Sequence, residues 1–211
     1  MDLFQVYSLL DMEPVKARGA YLWDSNGVEY LDFYGGHAVI SIGHTHPHYV
    51  EKITEQLGRI GFYSNAVVNN LQRELAEKLG ELSGYPDYEL FLCNSGAEAN
   101  ENALKLASFT TGRSRVLAMR GAFHGRTSMA VAATDNPAIQ APVNRTDKVT
   151  FTDLNDIDAM RAELRTGEYA AVIVEGIQGV NGIRVASDEF LRAVREECDA
   201  TGTIMILDEV Q

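Results

Sequence analysis

The chain has 211 residues, 45% hydrophobic and 23% charged, an ordinary globular balance able to bury one sizeable core. A formal net charge of −12 leaves no basic face for nucleic acid or for an anionic membrane. No run of about 18 apolar residues is present to span a bilayer, and the acidic start MDLFQVYSLLDMEP lacks the marks of a secretory leader, so a cytoplasmic protein is expected.

In chain order, residues 1–18 read as an irregular arm whose Phe4, Tyr7, Leu9 and Leu10 would lie against something, such as a partner subunit. Ala20–Trp23 and Val28–Phe33 alternate on either side of Asp24-Ser25-Asn26-Gly27, a strong hairpin signal. His44, His46 and His48 alternate in the passage that follows, but Pro47 breaks the strand that would align them. No Cys or acid completes a ligand set there, and no metal is expected. Helices are predicted from Tyr49 to about Ile60 and from about Val67 to Leu82, the second closed by Gly84.

The chain then alternates. Strands are expected at Glu89–Cys93, Arg115–Met119, Val149–Thr152, Tyr169–Val174 and Thr203–Leu207. Between them come helices at Ala97–Phe109, Leu154–Leu164 and Asp188–Thr201, with a short one after Arg126. The runs AAVIV and TIMIL are apolar throughout, as strands covered on both faces are. The fold class is therefore α/β with an open, mostly parallel sheet: an arm and β-hairpin segment over 1–48, then a sheet domain over 49–211. Cys93 and Cys198 read as buried small hydrophobes rather than a disulfide.

The stretch FLCNSGAEANENALKLA runs from a strand through Asn94-Ser95-Gly96 into a helix. The first N–H groups of such a helix are unpaired, and with the helix dipole they can seat a phosphate or carboxylate. Ser95 and Glu98 also stand at capping-box spacing, so the same residues can simply close the helix end. In open α/β sheets ligands gather beyond the carboxyl ends of the strands. Those ends carry Ser95-Gly96-Ala97; Gly121 to Arg126 with Phe123; Glu175 and Gln178; and Asp208 to Gln211. The run IMILDE resembles half of a nucleotide-hydrolase signature, but no Gly-Lys-Ser/Thr phosphate loop and no G-x-G-x-x-G accompany it. An anion seat, an aromatic, a cation and carboxylates suit a flat cationic ring bearing one phosphate, with Asp208 keeping a ring nitrogen protonated.

The passages YLDFYGGHAVISIGHTHP, FYSN, NSGAEANENALKLA, AFHGRTS, VIVEGIQG and ILDEVQ occur in the order of a known family. Through them the chain resembles the class III pyridoxal-phosphate-dependent aminotransferases, most closely those acting on acetylornithine or succinylornithine in arginine biosynthesis. The resemblance implies a fold-type I transferase and a homodimer with its active site between subunits. The reaction implied moves a terminal amino group to 2-oxoglutarate. Carried over by position, it gives Ser95, Gly96 and Ala97 the cofactor phosphate, Phe123 the ring face, Asp208 the pyridine nitrogen and Gln211 the phenolic oxygen. Arg126 would grip the substrate carboxylate. Glu175, Gln178 and Asn65, with Tyr63 and Ser64, would line the substrate pocket.

Two departures accompany the likeness. Val180 stands where many relatives carry a gating glutamate. The sequence stops at Gln211, and none of Lys16, Lys52, Lys78, Lys105 and Lys148 occupies a strand end facing the crevice. The expectation is thus an N-terminal part lacking the Schiff-base lysine, the rest of the large domain and the small domain, and inactive by itself. Ornithine, 4-aminobutyrate or N-acyl-lysine as donor, and a non-catalytic scaffold of the same fold, are the alternatives.

Overall fold

In the computed structural model, which describes residues 1–6 and 8–211, the Asn-Gly turn closes as its sequence requires. Asp24 Oδ1 accepts the N–H groups of Asn26 and Val28 at 2.9 and 2.8 Å, and its Oδ2 accepts the Tyr30 hydroxyl at 3.0 Å. That side chain is buried, and it fixes the register of β2 (Tyr21–Asp24) against β3 (Glu29–Leu31). The expected irregular arm is shorter than predicted. Its last five residues form β1 (Pro14–Arg18), antiparallel to β2, with the Lys16 ammonium 4.7 Å from the centre of the Trp23 ring. Gly19, at φ 59°, makes that pairing possible, since a left-handed residue is needed to fold β1 back onto β2. Tyr7, one of the apolar residues assigned to the arm, lies outside the described residues.

His44 Nε2 sits 2.7 Å from Asp32 Oδ2, so the first of the three alternating histidines serves a loop contact. Asp32 Oδ1 accepts the N–H groups of Tyr34 and Gly35 at 2.9 and 2.8 Å. The Pro47–Arg59 helix begins two residues before the expected start, because Pro47 at its first turn has the right φ and no N–H to leave unpaired. The Asn70–Ser83 helix begins three residues late. Asn69 caps it by accepting the Leu71 N–H at 3.0 Å, so Val67 and Val68 stay outside.

These elements belong to the first of two compact units, Met1–Tyr88 and Glu89–Gln211. The second unit is built on a parallel sheet of β4 (Arg115–Met119), β5 (Val149–Thr152), β6 (Tyr169–Glu175) and, after the small β7 (Ile177–Gln178) and β8 (Arg184–Val185) pair, β9 (Ile204–Asp208), in the order β5-β4-β6-β9. All seven residues of β6 are buried, which explains the unbroken apolar run from Ala170 to Val174. Alternate side chains divide between two cores. Val116, Ala118, Ala171 and Ile173 face the Gly96–Thr111 helix through Leu104 and Ala107. Leu117, Met119, Val172 and Val174 face the Ile157–Leu164 and Asp188–Thr201 helices through Met160, Leu164, Phe190 and Val194. The Ile157–Leu164 helix starts three residues later than predicted. Asn155 adopts φ 72°, outside helical space, and Asp156 takes the cap by accepting the Ala159 N–H at 3.0 Å.

The strand expected at Glu89–Cys93 is not formed. A strand exists only by pairing its backbone, and this segment pairs with neither β5 nor β9 at the sheet edges; Phe91 and Cys93 are exposed. Cys93 therefore departs from the buried position expected of it, whereas Cys198 is buried and burial pushes its thiol up to about 11. Among the described residues, no helix is long and apolar enough to cross a membrane.

Candidate active site

The strand order fixes where a ligand can lie. From β4 the chain moves outward to β5 and then crosses back to β6, so the connections on either side of the β4–β6 pair run in opposite directions. The carboxyl ends of β4 and β6 therefore open into the crevice at the switch point. β6 ends at Glu175 and β9 at Asp208, and these two residues are register partners on adjacent strands.

The loop after β4 folds over both carboxylates. Glu175 Oε1 accepts the Phe123 N–H at 2.9 Å, and Asp208 Oδ2 accepts from His124 Nδ1 at 2.8 Å. An ionised carboxylate only accepts, so Nδ1 carries the proton; His124 Nε2 is buried with no hydrogen-bond partner among the described residues. Asn100 Nδ2 donates to the same Asp208 oxygen at 2.7 Å, and Asp208 Oδ1 takes the Val210 N–H at 3.2 Å. Burial pushes the Asp208 carboxyl up, but the hydrogen bonds from His124, Asn100 and Val210 outweigh it and hold the group below the usual range. Gln178, fully buried, ties the second turn of the crevice down by donating from Nε2 to the Arg120 carbonyl at 3.0 Å.

Glu175 goes the other way. Burial raises its carboxyl above the ordinary range with the help of neighbouring Asp208, against the Phe123 N–H. A raised folded-state value means stability that is complete below the unfolded pKa and lost as pH rises through the folded one. Glu175→Gln keeps an oxygen for Phe123 and removes that titration. The melting temperature of the variant should accordingly fall less than that of the wild type as pH rises above the ordinary carboxylate range. Parallel melting profiles for the two proteins would refute this origin of the shift.

The helix start lies at the same end of the second unit. Ser95 Oγ accepts the Glu98 N–H at 3.2 Å, the first half of the expected capping box, whereas the Glu98 carboxylate reaches one residue further back and accepts the Asn94 N–H at 2.8 Å. They leave the first two helical N–H groups, of Gly96 and Ala97, with no carbonyl one turn back. The room around them is set by small residues. A Cβ on Gly96 would stand 2.7 Å from a Val210 methyl, and one on Gly125 would stand 2.7 Å from Ala97 Cβ. Arg126 brings its guanidinium carbon to 5.8 Å from the centre of the Phe123 ring.

The family model for class-III aminotransferases, "Aminotransferase class-III", matches residues 5–211. The chain belongs to this family. It is 44% identical over 198 residues to the acetylornithine aminotransferase of Streptomyces clavuligerus, covering 93% of this chain and 49% of that one. Among solved structures it is similar to the ornithine aminotransferase of Toxoplasma gondii, with a TM-score of 0.89 and 28% identity over 97% of this chain and 50% of that one. It is also similar to the taurine:2-oxoglutarate aminotransferase of Bifidobacterium kashiwanohense in complex with PLP and glutamate. There the TM-score is 0.83 and the identity 26%, over 97% of this chain and 52% of that one. The chain spans about half the length of these relatives.

In this member of the class-III aminotransferase family, Ser95, Gly96, Ala97, Phe123, Glu175 and Asp208 all belong to one end of the second unit. Gln211 follows β9 and is exposed. Val180 is exposed in the turn between β7 (Ile177–Gln178) and β8 (Arg184–Val185). Asn65, with Tyr63 and Ser64, lies in the first unit ahead of the Asn70–Ser83 helix. Of the lysines in the second unit, Lys105 is within a helix and Lys148 immediately precedes β5, at the amino end of the sheet. Sequence reasoning passed over Asn100 and placed His124 at the strand end without giving it a role. The only signal available was that a buried strand-end acid such as Asp208 needs donors, and a sequence does not say from where they come.

Proposed function

We propose that the chain serves a cytoplasmic, homodimeric aminotransferase that uses pyridoxal phosphate, with its active site at the subunit interface. The donor is N-acetylornithine or N-succinylornithine, whose terminal amino group passes to 2-oxoglutarate in arginine biosynthesis. The observation that carries this reading is the ionised Asp208, held by three donors yet with only one of them on Oδ1. That oxygen retains a lone pair for a protonated ring nitrogen, and an anionic tail suits the open N–H groups of Gly96 and Ala97. The residues present therefore fit the cofactor at both ends. When bound, pyridoxal phosphate supplies an electron sink for the charge left as a substrate C–H proton is removed.

The chain's own residues then have separate tasks. Gly96 and Ala97, with Ser95, hold the phosphate; Phe123 covers the ring, and the Glu175 bond to its backbone keeps that loop down. Asp208 holds the proton on the ring nitrogen, which keeps the ring cationic when charge develops. Gln211 serves the phenolic oxygen. Arg126 takes the carboxylate of the amino acid or 2-oxo acid, and Glu175 borders the substrate. The likeness to an ornithine aminotransferase favours ornithine as the second candidate donor.

Adding pyridoxal phosphate to the full-length protein should produce a saturable visible absorption band. N-acetylornithine and N-succinylornithine, added separately, should then discharge it faster than ornithine or 4-aminobutyrate, with glutamate appearing on addition of 2-oxoglutarate. Absence of the band, or discharge by 4-aminobutyrate alone, would overturn the reading.

A further inference from the structure

The inner face of the Gly96–Thr111 helix carries Leu104 and Ala107, and one turn into it, at a position equally suited to an apolar side chain, stands Asn100, 5% exposed. A buried amide costs free energy unless its polar atoms are matched. Here both hydrogens of Nδ2 are used: one reaches the His124 carbonyl at 2.8 Å, the other Asp208 Oδ2 at 2.7 Å. Both neighbours are acceptors, which fixes the orientation of the amide. His124 closes the ring of contacts by donating from Nδ1 to the same Asp208 oxygen. One side chain thus joins the helix that begins at Gly96, the loop that carries Phe123 and the strand that ends in Asp208.

We propose that Asn100 is a positioning residue that fixes the span between the amide groups at 95–97 and the Asp208 carboxylate, so that a ligand held at both ends is met at the correct length. The inference rests on the reading above, in which pyridoxal phosphate is that two-ended ligand. Asn100 touches neither end of it. It lies one helical turn behind the amide groups and directly against the carboxylate, and its two bonds set the distance between them. The same bond to Asp208 adds to the donors that keep the carboxylate ionised.

A brace and a mere filler of the core differ in what they do to ligands of different reach. Pyridoxal phosphate engages both ends, whereas inorganic phosphate engages the helix start alone. The test measures both dissociation constants, with thermal melting, for the full-length wild type, Asn100→Ala and Asn100→Leu. The leucine variant keeps nearly the same volume but has no donor, so it loses both bonds without leaving a cavity or adding a charge beside Asp208. Pyridoxal phosphate should bind about tenfold to a hundredfold more weakly to each variant, while phosphate binding stays within about twofold of wild type. Equal weakening of both ligands would make Asn100 a structural residue only, and no weakening of either would remove its role; each overturns the inference. Should the alanine variant not fold, the leucine variant decides. If the wild type itself shows no saturable pyridoxal phosphate binding, the proposed function falls and this inference with it. If the wild type binds and the variants match it, only this inference falls.

Discussion

Asp208→Asn in the full-length protein is expected to slow the discharge of the visible band by N-acetylornithine by about two to three orders of magnitude, the usual cost of deleting one preorganised electrostatic partner at a reacting group. The geometry says why asparagine cannot stand in. Oδ2 of Asp208 faces two donors, His124 Nδ1 and Asn100 Nδ2, so the amide must turn its oxygen to that side. Its NH2 is then at the position of Oδ1, facing the Val210 N–H and, in the proposed complex, a ring N–H as well. A donor opposed to a donor favours the unprotonated ring, which is the poorer sink. The same substitution changes the response to acid. A carboxyl held below its ordinary range gives stability that is present above the unfolded pKa and lost as pH falls through the folded one. The asparagine variant should therefore lose less stability than wild type on acidification. A variant that reacts at the wild-type rate would remove Asp208 from the role assigned to it.

How much of this was legible in the sequence depended on whether a residue's reason lay near it in the chain. The Asp24 turn, the buried β6 and the Ser95 cap are local, and alternation, apolar runs and capping spacing found them. Asp208, Glu175 and Phe123 were legible at one remove, because strand ends in a parallel sheet must face the ligand side. The brace at Asn100 was not. Its partners lie 24 and 108 residues away, and an asparagine within NENA reads as any polar position on a helix. The segment 89–93 failed in the opposite direction. Its apolar pattern is that of a strand, but pairing is a property of two segments, and none of the described residues pairs with it.

Gly125→Ala is expected to be strongly destabilising, because two penalties coincide there. Gly125 has φ 135°, a conformation that residues with a Cβ adopt only under strain of about 1–3 kcal/mol. The added methyl would also lie 2.7 Å from Ala97 Cβ, 3.0 Å from Ala97 Cα and 3.1 Å from Ala130 Cβ. One of these neighbours is backbone, so relief requires moving the helix start, and overpacking of this kind costs about 1–3 kcal/mol more. Gly96→Ala makes an instructive contrast. Its nearest neighbours are the Val210 methyls at 2.7 and 2.9 Å, which belong to a half-exposed side chain free to turn aside. Gly125→Ala should lower the melting temperature by roughly 5–15 °C, and Gly96→Ala by less. Adding Ala97→Gly to Gly125→Ala removes the methyl–methyl clash but not the backbone strain, so roughly half of the loss should return. The helix start that Gly125 would displace carries the amide groups assigned to the phosphate, so inorganic phosphate should bind more weakly to Gly125→Ala and recover in the double variant. A Gly125→Ala protein that melts within about 1 °C of wild type would show that the loop can yield, and that the close approach to Ala97 is not what shapes this end of the crevice.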